Sequence, residues 1–424
     1  MQIHVVSSGE TLFSIARQYD VPAGILARYN GLAEPYRLAV GQSLLILRPT
    51  SLVTVRAGDT LSSLARQNGQ SVRSLLRLNP NLTQQTAIYP GQIVVTAIED
   101  APERTAAAFG YAYPYVSPSV LAGILPYAGG LAPFTYGFTE DGTLVPLDDT
   151  ALLAQAAEIG TAGVMHLSTL TERGTFSAER AAALLENEAA QEALIANVVT
   201  NMAARGYQAL DVDFEYLGAP LAAAYAAFLG KLRAAVNASG WPLLAALAPK
   251  TSREQAGTLY EGHDYAAVAS ACDAVLLMTY EWGYTAGPPM AVAPLPNVRA
   301  VLDYAVTELP AEKLLLGVPN YGYDWPLPFV QGQTRAKSIS NQQAIDLALQ
   351  YRIAIQYDQT AQSPYFHYTA EDGIIHEVWF EDARSLSAKL RLIAEYGFLG
   401  SGIWNLMRPF SQIWLLADSL YDIV

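Results

Sequence analysis

Apolar and polar positions alternate in two rhythms along this chain, and the rhythm changes near residue 100. From Ala106 onward, short apolar runs of strand type alternate with stretches whose apolar residues recur at helical spacing. The strand-type runs are Ala106–Ala112, Phe134–Gly137, Ala162–Leu167, Ala209–Glu215, Leu243–Leu247, Ala274–Tyr280, Leu314–Val318 and Gly402–Asn405. The helical stretches are Asp149–Ile159, Glu188–Arg205, Leu221–Val236, Tyr265–Ser270, Val298–Glu308, Ala383–Tyr396 and Pro409–Leu420. Near-continuous apolar strands alternating with helices predict a parallel sheet covered on both faces. Eight such units predict an α/β fold, a (β/α)8 TIM barrel over 106–424, with its site at the C-terminal strand ends. Extra sequence at 319–380, with strand-like runs around Ile355, Phe366 and Val378, predicts a small α+β insertion between strands seven and eight that walls one side of a cleft.

The front of the chain follows another plan. Ser8–Gln18 matches Ala57–Gln67 at an offset of 49, Asn30 matches Asn79 at the same offset, and Gly41-Gln42 matches Gly91-Gln92 one residue later. Repetition of this kind marks tandem modules. Each copy reads strand, helix, helix, strand, so the units are small βααβ modules at 1–48 and 51–97. Glu10 or Asp59, followed by Thr and an apolar-periodic stretch, marks the first helix start. Residues 98–105, with Pro102 among charges, read as a short linker that allows limited swing.

Composition narrows the field. Of 424 residues, 51% are hydrophobic and 15% charged, which suits packed domains and excludes a disordered chain. The net charge of −14 is uneven: residues 1–98 carry eight Arg, no Lys and four acids, and the rest carries 17 basic and 35 acidic residues. The acidic part argues against nucleic-acid binding. A single cysteine, Cys272 in an apolar run, permits no intrachain disulfide, and no metal-ligand spacing appears, so no cofactor is expected. The N-terminus shows no signal peptide, and no run is long enough to span a membrane. The chain is expected to be made in the cytosol and to be a monomer.

The candidate chemistry lies in Leu210-Asp211-Val212-Asp213-Phe214-Glu215-Tyr216. On a strand, Asp211, Asp213 and Glu215 share one face, and Val212 and Phe214 the other. Three carboxylates on one face of an apolar strand resist burial, so at least one has a raised pKa, and a Glu kept protonated near neutrality serves as a general acid. A solvated edge strand or a calcium site is the plainer reading. The flanking helical run and the aromatic after Asp213 favour an interior strand ending in a pocket.

Two resemblances give these patterns meaning. The repeated modules, through Gly-(Asp/Glu)-Thr-Leu, the mid-module Asn and the Gly-Gln before the last strand, closely resemble LysM modules; this implies binding to peptidoglycan or chitin-like polymers of N-acetylglucosamine. The stretch Gln208–Tyr216 resembles the Asp-Gly-x-Asp-x-Asp-x-Glu signature of family 18 glycoside hydrolases. Met278-Thr279-Tyr280-Glu281-Trp282 and Ser401-Gly402-Ile403-Trp404 match further family positions, and Val378–Asp382, Leu247–Thr251 and Asn320–Trp325 resemble the spore-germination branch. Nearly the whole chain is similar to bacterial spore cortex-fragment-lytic N-acetylglucosaminidases. This implies substrate-assisted hydrolysis, an exception to the two-carboxylate scheme. Glu215 is then the acid, Asp213 and Tyr280 hold the acetamido group, Asp211 supports them, and Trp404 is the sugar platform. Glu281, Trp282, Tyr113, Tyr136, Tyr321 and Trp379 are further candidates for substrate contact. His166, also a cleft candidate, reads first as a core histidine with its polar partner. Gln208 replaces the first family Asp, which is expected to remove a charge from the interior stack, and Glu281 replaces the Asp after the Tyr.

Spore-coat or cortex localisation follows from the same resemblance. The competing readings are a chitinase with the same chemistry and an inactive carbohydrate-binding spore-coat protein. The Asp213/Glu215 pair argues against the latter.

Overall fold

The structure is a computed structural model that describes residues 1–99, 102, 104–171 and 175–424. In the first module, strand Gln2–Val5 pairs antiparallel with Ser43–Ile46, and helices Leu12–Tyr19 and Ala23–Tyr29 lie between them. The second repeats this with Pro49–Thr54 against Ile93–Ile98 and helices Leu61–Gln67 and Val72–Arg77. Sequence repetition becomes identical local chemistry. Thr11 and Thr60 cap their helices in reciprocal capping boxes with Ser14 and Ser63. Glu10 and Asp59, expected at the helix start, instead accept the backbone N–H groups of Ser7 and Arg56 at 2.7 Å and close the preceding turn. The mid-module asparagines are staples: the Asn30 amide donates to the carbonyls of Leu26 and Leu45 at 2.9 Å, and Asn79 does the same to Leu75 and Val95 at 2.8 Å.

The modules are docked on the barrel. In the first, the Gln412 amide donates to Asn30 Oδ1 at 2.8 Å and to the Ser43 carbonyl at 3.0 Å, all three residues being buried. Gly41 lies so close to the Ile355 carbonyl that a Cβ would stand 1.9 Å from its oxygen. The module's apolar residues run into the same core as the barrel helices. The second module has its own small core around Leu64 and Leu75 and is pinned by two arginines. Arg73 donates to the carbonyls of Pro126, Ala128 and Gly160, and Arg77 donates to those of Pro126 and Ile423 and pairs with Asp418 at 3.2 Å. These contacts bear on the swing expected from a short linker. Residues 100, 101 and 103 of the 98–105 segment lie outside the described residues, whereas Ile98 ends the last module strand and Thr105 opens the barrel.

Eight parallel strands form the barrel: β1 Thr105–Ala112, β2 Gly130–Pro133, β3 Ala162–Ser168, β4 Ala209–Asp213, β5 Leu243–Leu247, β6 Ala274–Leu277, β7 Leu314–Pro319 and β8 Gly400–Trp404. Each pairs in order with the next, and β8 pairs with β1 to close the ring. The second strand is not the expected Phe134–Gly137. Its Gly-Gly start and Pro end read as loop signals, yet the glycines are there for close approach: a Cβ on Gly129 would stand 1.9 Å from the Val424 carbonyl oxygen. Between β7 and β8, a five-stranded antiparallel sheet of Gly322–Pro326, Lys337–Ile339, Gln356–Asp358, Ser363–Thr369 and Ile375–Trp379, with helix Asn341–Tyr351, forms the insertion. A buried Lys389–Glu381 ion pair at 2.8 Å lies at its base.

Candidate active site

Strand β4 sorts its side chains as its alternation demands. Leu210 and Val212 join the core between sheet and helices, and Asp211 and Asp213 are buried with them on the same strand. The strand ends at Asp213 and not at Glu215, which lies two residues further on; Phe214 anchors this exit by stacking on Tyr225 and Phe228 at 5.5 and 6.0 Å. The backbone at Tyr216 then turns left-handed (φ 59°), leaving Glu215 at the barrel mouth.

The acids form a graded stack. Asp211, fully buried, accepts the Tyr111 hydroxyl at 2.8 Å. His166 Nε2 lies 3.7 Å from one oxygen of Asp211 and one of Asp213, while its Nδ1 lies 2.6 Å from the Thr135 hydroxyl, which also reaches Ser168. The imidazole stacks on Phe134 at 4.8 Å. The other oxygens of Asp211 and Asp213 are buried with no partner among the described residues. Burial pushes His166 down to about 4, so the ring is neutral at pH 7. Burial also pushes Asp211 up to about 6 and Asp213 up to about 7. Glu215 is raised well above its ordinary value, first by burial and then by the charges of Asp213 and Glu281. A protonated Glu215 at the mouth above ionisable aspartates is the arrangement of a general acid with a proton-sharing partner.

Above the stack opens a cavity of about 400 Å³. Asp213, Glu215 and Tyr280 face it, with Trp404, Tyr113, Phe134 and Met278 as floor and Glu281, Trp282, Tyr260 and Phe176 along the walls. Trp404, at the end of β8, stands edge-on to Phe134 and Tyr111 at 4.9 and 5.6 Å, which fixes its ring as a platform. Tyr280 follows β6 and passes over Gly317 of β7, where a Cβ would lie 2.8 Å from its ring; burial and the surrounding acids keep its hydroxyl protonated as a donor. Glu281 has a left-handed backbone (φ 67°) and is exposed to the cleft, and it accepts hydroxyls from Tyr321 and Tyr323.

Seven of the sequence candidates therefore meet around one cavity: Asp213, Glu215, Tyr280, Glu281, Trp282, Tyr113 and Trp404. Asp211 lies beneath it. Three candidates do not line it. Tyr136 is on the other side of the sheet, bonded to Asp149, because β2 ends before it and its side chain points to the helices. Tyr321 stands behind Glu281 as its donor. Trp379 lies on the insertion sheet, stacked on Tyr365 at 4.7 Å with its Nε1 on Glu377. Gln208 also departs from expectation: it is exposed at the opposite end of β4, out of phase with Asp211, so its lost charge was never part of the stack. Tyr111, Phe134 and Thr135 complete the stack and floor and are not among the sequence candidates. Tyr111 and Tyr113 share the inward phase of β1, a signal the period of two could have given; the loop residues Leu259 and Tyr260 carried none. Among the described residues no group of acids, histidines and cysteines is placed to hold a metal ion.

The comparisons with known proteins agree with this geometry. Residues 174–408 match the family model described as glycosyl hydrolases family 18. The chain belongs to that family. It is thus a glycosidase, and residues 4–47 and 53–96 match the LysM domain. It is 40% identical, over all of its length and 99% of the relative's, to the cortical fragment-lytic enzyme of Bacillus subtilis strain 168. Two crystal structures cover the whole chain and 98% of their own: the spore cortex-lytic enzyme SleL of Bacillus megaterium, at 38% identity and a TM-score of 0.83, and that of Bacillus cereus, at 34% and 0.84.

Proposed function

We propose that this glycosidase cleaves N-acetylglucosamine linkages in spore cortex peptidoglycan, with the sugar's own acetamido group as nucleophile. The observation that carries this reading is the buried Asp213–Glu215 pair facing Tyr280 across a cavity floored by Trp404. Glu215, held protonated, gives its proton to the glycosidic oxygen as the bond to C1 breaks. The acetamido carbonyl oxygen bonds to C1, giving an oxazolinium ion. Asp213 takes a hydrogen bond from the acetamido N–H and offsets the positive charge, and the Tyr280 hydroxyl donates to the acetamido oxygen. Glu215, now a carboxylate, draws a proton from water, which opens the ring with net retention. His166 and Tyr111 set the charge and position of Asp211 beneath.

The full-length relatives named for cortex lysis support peptidoglycan over chitin as substrate. The docked modules hold a polymer in fixed relation to the cleft, and the reading places the protein with the spore. The test is a time-resolved NMR assay on cortex fragments, with chitin oligomers as competitors. Retention at C1, competitive inhibition by an N-acetylglucosamine thiazoline and no turnover of substrates lacking the acetamido group are expected. Inversion, or a covalent sugar ester trapped on Asp213 or Glu281, overturns the mechanism.

A further inference from the structure

The cleft has an unusual charge balance. Three carboxyl groups, on Asp213, Glu215 and Glu281, face a cavity whose other described lining residues are apolar or aromatic and include no Lys, Arg or His. The first two belong to the chemistry. Glu281 has no proton to move in it, yet the fold invests in holding it. Its backbone is left-handed (φ 67°), a conformation that costs free energy for a residue with a Cβ. The Tyr323 hydroxyl reaches both of its oxygens, at 2.9 and 3.2 Å, and the Tyr321 hydroxyl reaches one of them. Both tyrosines are otherwise buried and stand edge-on to each other at 5.6 Å. Burial raises Glu281 above its ordinary carboxylate value, and the two phenol donors oppose that rise and stop the group from swinging away. The result is a carboxyl group fixed in position on the cleft wall.

We propose that Glu281, clamped by Tyr321 and Tyr323, is a charge filter that admits uncharged N-acetyl amino sugars next to the scissile bond and disfavours sugars carrying a free carboxylate. The inference rests on the proposed function and adds to it the class of neighbouring sugar. A carboxylate brought into the cavity faces like charge from Glu281 and, once it ionises, from Asp213. A sugar whose acid is masked as an amide or lactam meets none of this and keeps its ring contact with the aromatic floor. Glu281 is thus a specificity-determining residue and the tyrosines are positioning residues.

The experiment uses the full chain and two soluble glycans matched except at one group: N-acetylglucosamine linked to a muramic residue whose lactyl acid is free, and the same glycan with that acid converted to the amide. At pH 7 the wild-type kcat/KM is expected to be about tenfold or more higher for the amide. E281Q should bring the ratio close to one, mainly by raising the rate on the acid. The double variant Tyr321→Phe, Tyr323→Phe keeps the charge but frees it, and should give an intermediate ratio. Equal wild-type rates on acid and amide overturn the filter, and that measurement does not depend on any variant folding. A ratio unchanged by E281Q in a variant that melts like wild type overturns the assignment to Glu281. If the wild type cleaves chitin oligomers but neither of these glycans, the peptidoglycan reading fails and the filter with it.

Discussion

The barrel buries two sets of carboxylates on opposite faces of its sheet, and they are treated in opposite ways. Asp149, fully buried on the helix side, accepts the hydroxyls of Tyr136 and Tyr207 and pairs with Arg205 at 2.5 Å. A cation and two donors satisfy it. Asp211 and Asp213, also buried inside the barrel, have no cation among the described residues but a neutral histidine 3.7 Å away, and each keeps one oxygen with no described partner. Burial is therefore not what marks the site. The mark is burial with an unpartnered oxygen and no described cation beside it, which lifts a carboxyl pKa into the range where protons are exchanged; Glu381 also leaves an oxygen unpartnered but has Lys389. The satisfied acid ties Tyr136, Tyr207 and Arg205 together, and the unsatisfied ones carry raised pKa values beneath the cavity.

The widest gap between the two sets should come from removing the acid itself. Glu215→Gln keeps shape and volume but cannot donate a proton, so turnover should fall about 10²- to 10⁴-fold with little change in melting temperature. Asp149→Ala should do the reverse. It breaks a buried, bonded pair and should cost roughly 3 kcal/mol in urea unfolding, while turnover per folded molecule stays at the wild-type value. If Asp149→Ala slowed the chemistry as much as Glu215→Gln, the division of roles would be wrong.

How far this division was legible in the sequence depends on which face of a strand a residue takes. The stack on β4 was readable because Asp-x-Asp-x-Glu lies on one phase of the strand. The apolar pattern places a strand four residues later than β2 lies and so points Tyr136 at the cleft, whereas the structure puts it in the cluster around Asp149. Gln208 failed for the same reason, being one step off the inward phase. The docking of the modules left no trace in the pattern at all. Arg73 and Arg77 bind backbone carbonyls, and nothing in a sequence marks a carbonyl as an acceptor.

A pH series separates the two sets more finely. The folded-state pKa of Asp211, about 6, lies above its ordinary value of 3.8. Below pH 4 the folded and unfolded states both hold the proton and the group costs nothing. From there up to about 6 the unfolded state has released its proton while the folded state still holds one, so stability falls across that window and levels off above it. Asp211→Asn should remove that loss, so the variant's advantage over wild type should grow from near zero at pH 4 to roughly 3 kcal/mol at pH 8. The difference between the two proteins is the quantity to read, because His166, lowered by burial to about 4, tilts both curves the other way. A constant difference across the series would mean that Asp211 does not titrate in this range.

The smallest effects make the sharpest comparison, because one hydroxyl can be deleted from each set. Tyr136→Phe takes a donor from Asp149, which keeps Arg205 and Tyr207; the cost should be about 1–2 kcal/mol, and the pH–rate profile should not move. Tyr111→Phe takes the hydroxyl from Asp211, whose bond holds that pKa down against burial. Asp211 is already lifted toward neutral pH by burial. It can take up a proton at neutral pH instead of standing charged and unpaired, so the stability cost should be below that of Tyr136→Phe at pH 6 and rise above pH 7. A protonated Asp211 also places one negative charge fewer beneath Asp213, which should then ionise more readily and move the acidic limb of kcat against pH to lower values. Urea unfolding at pH 6 and 8, with the pH–rate profile of each variant, reads all of this. Should Tyr111→Phe leave the limb where it was while lowering stability equally at both pH values, Asp211 would be a structural acid like Asp149, and the catalytic set would begin at Asp213.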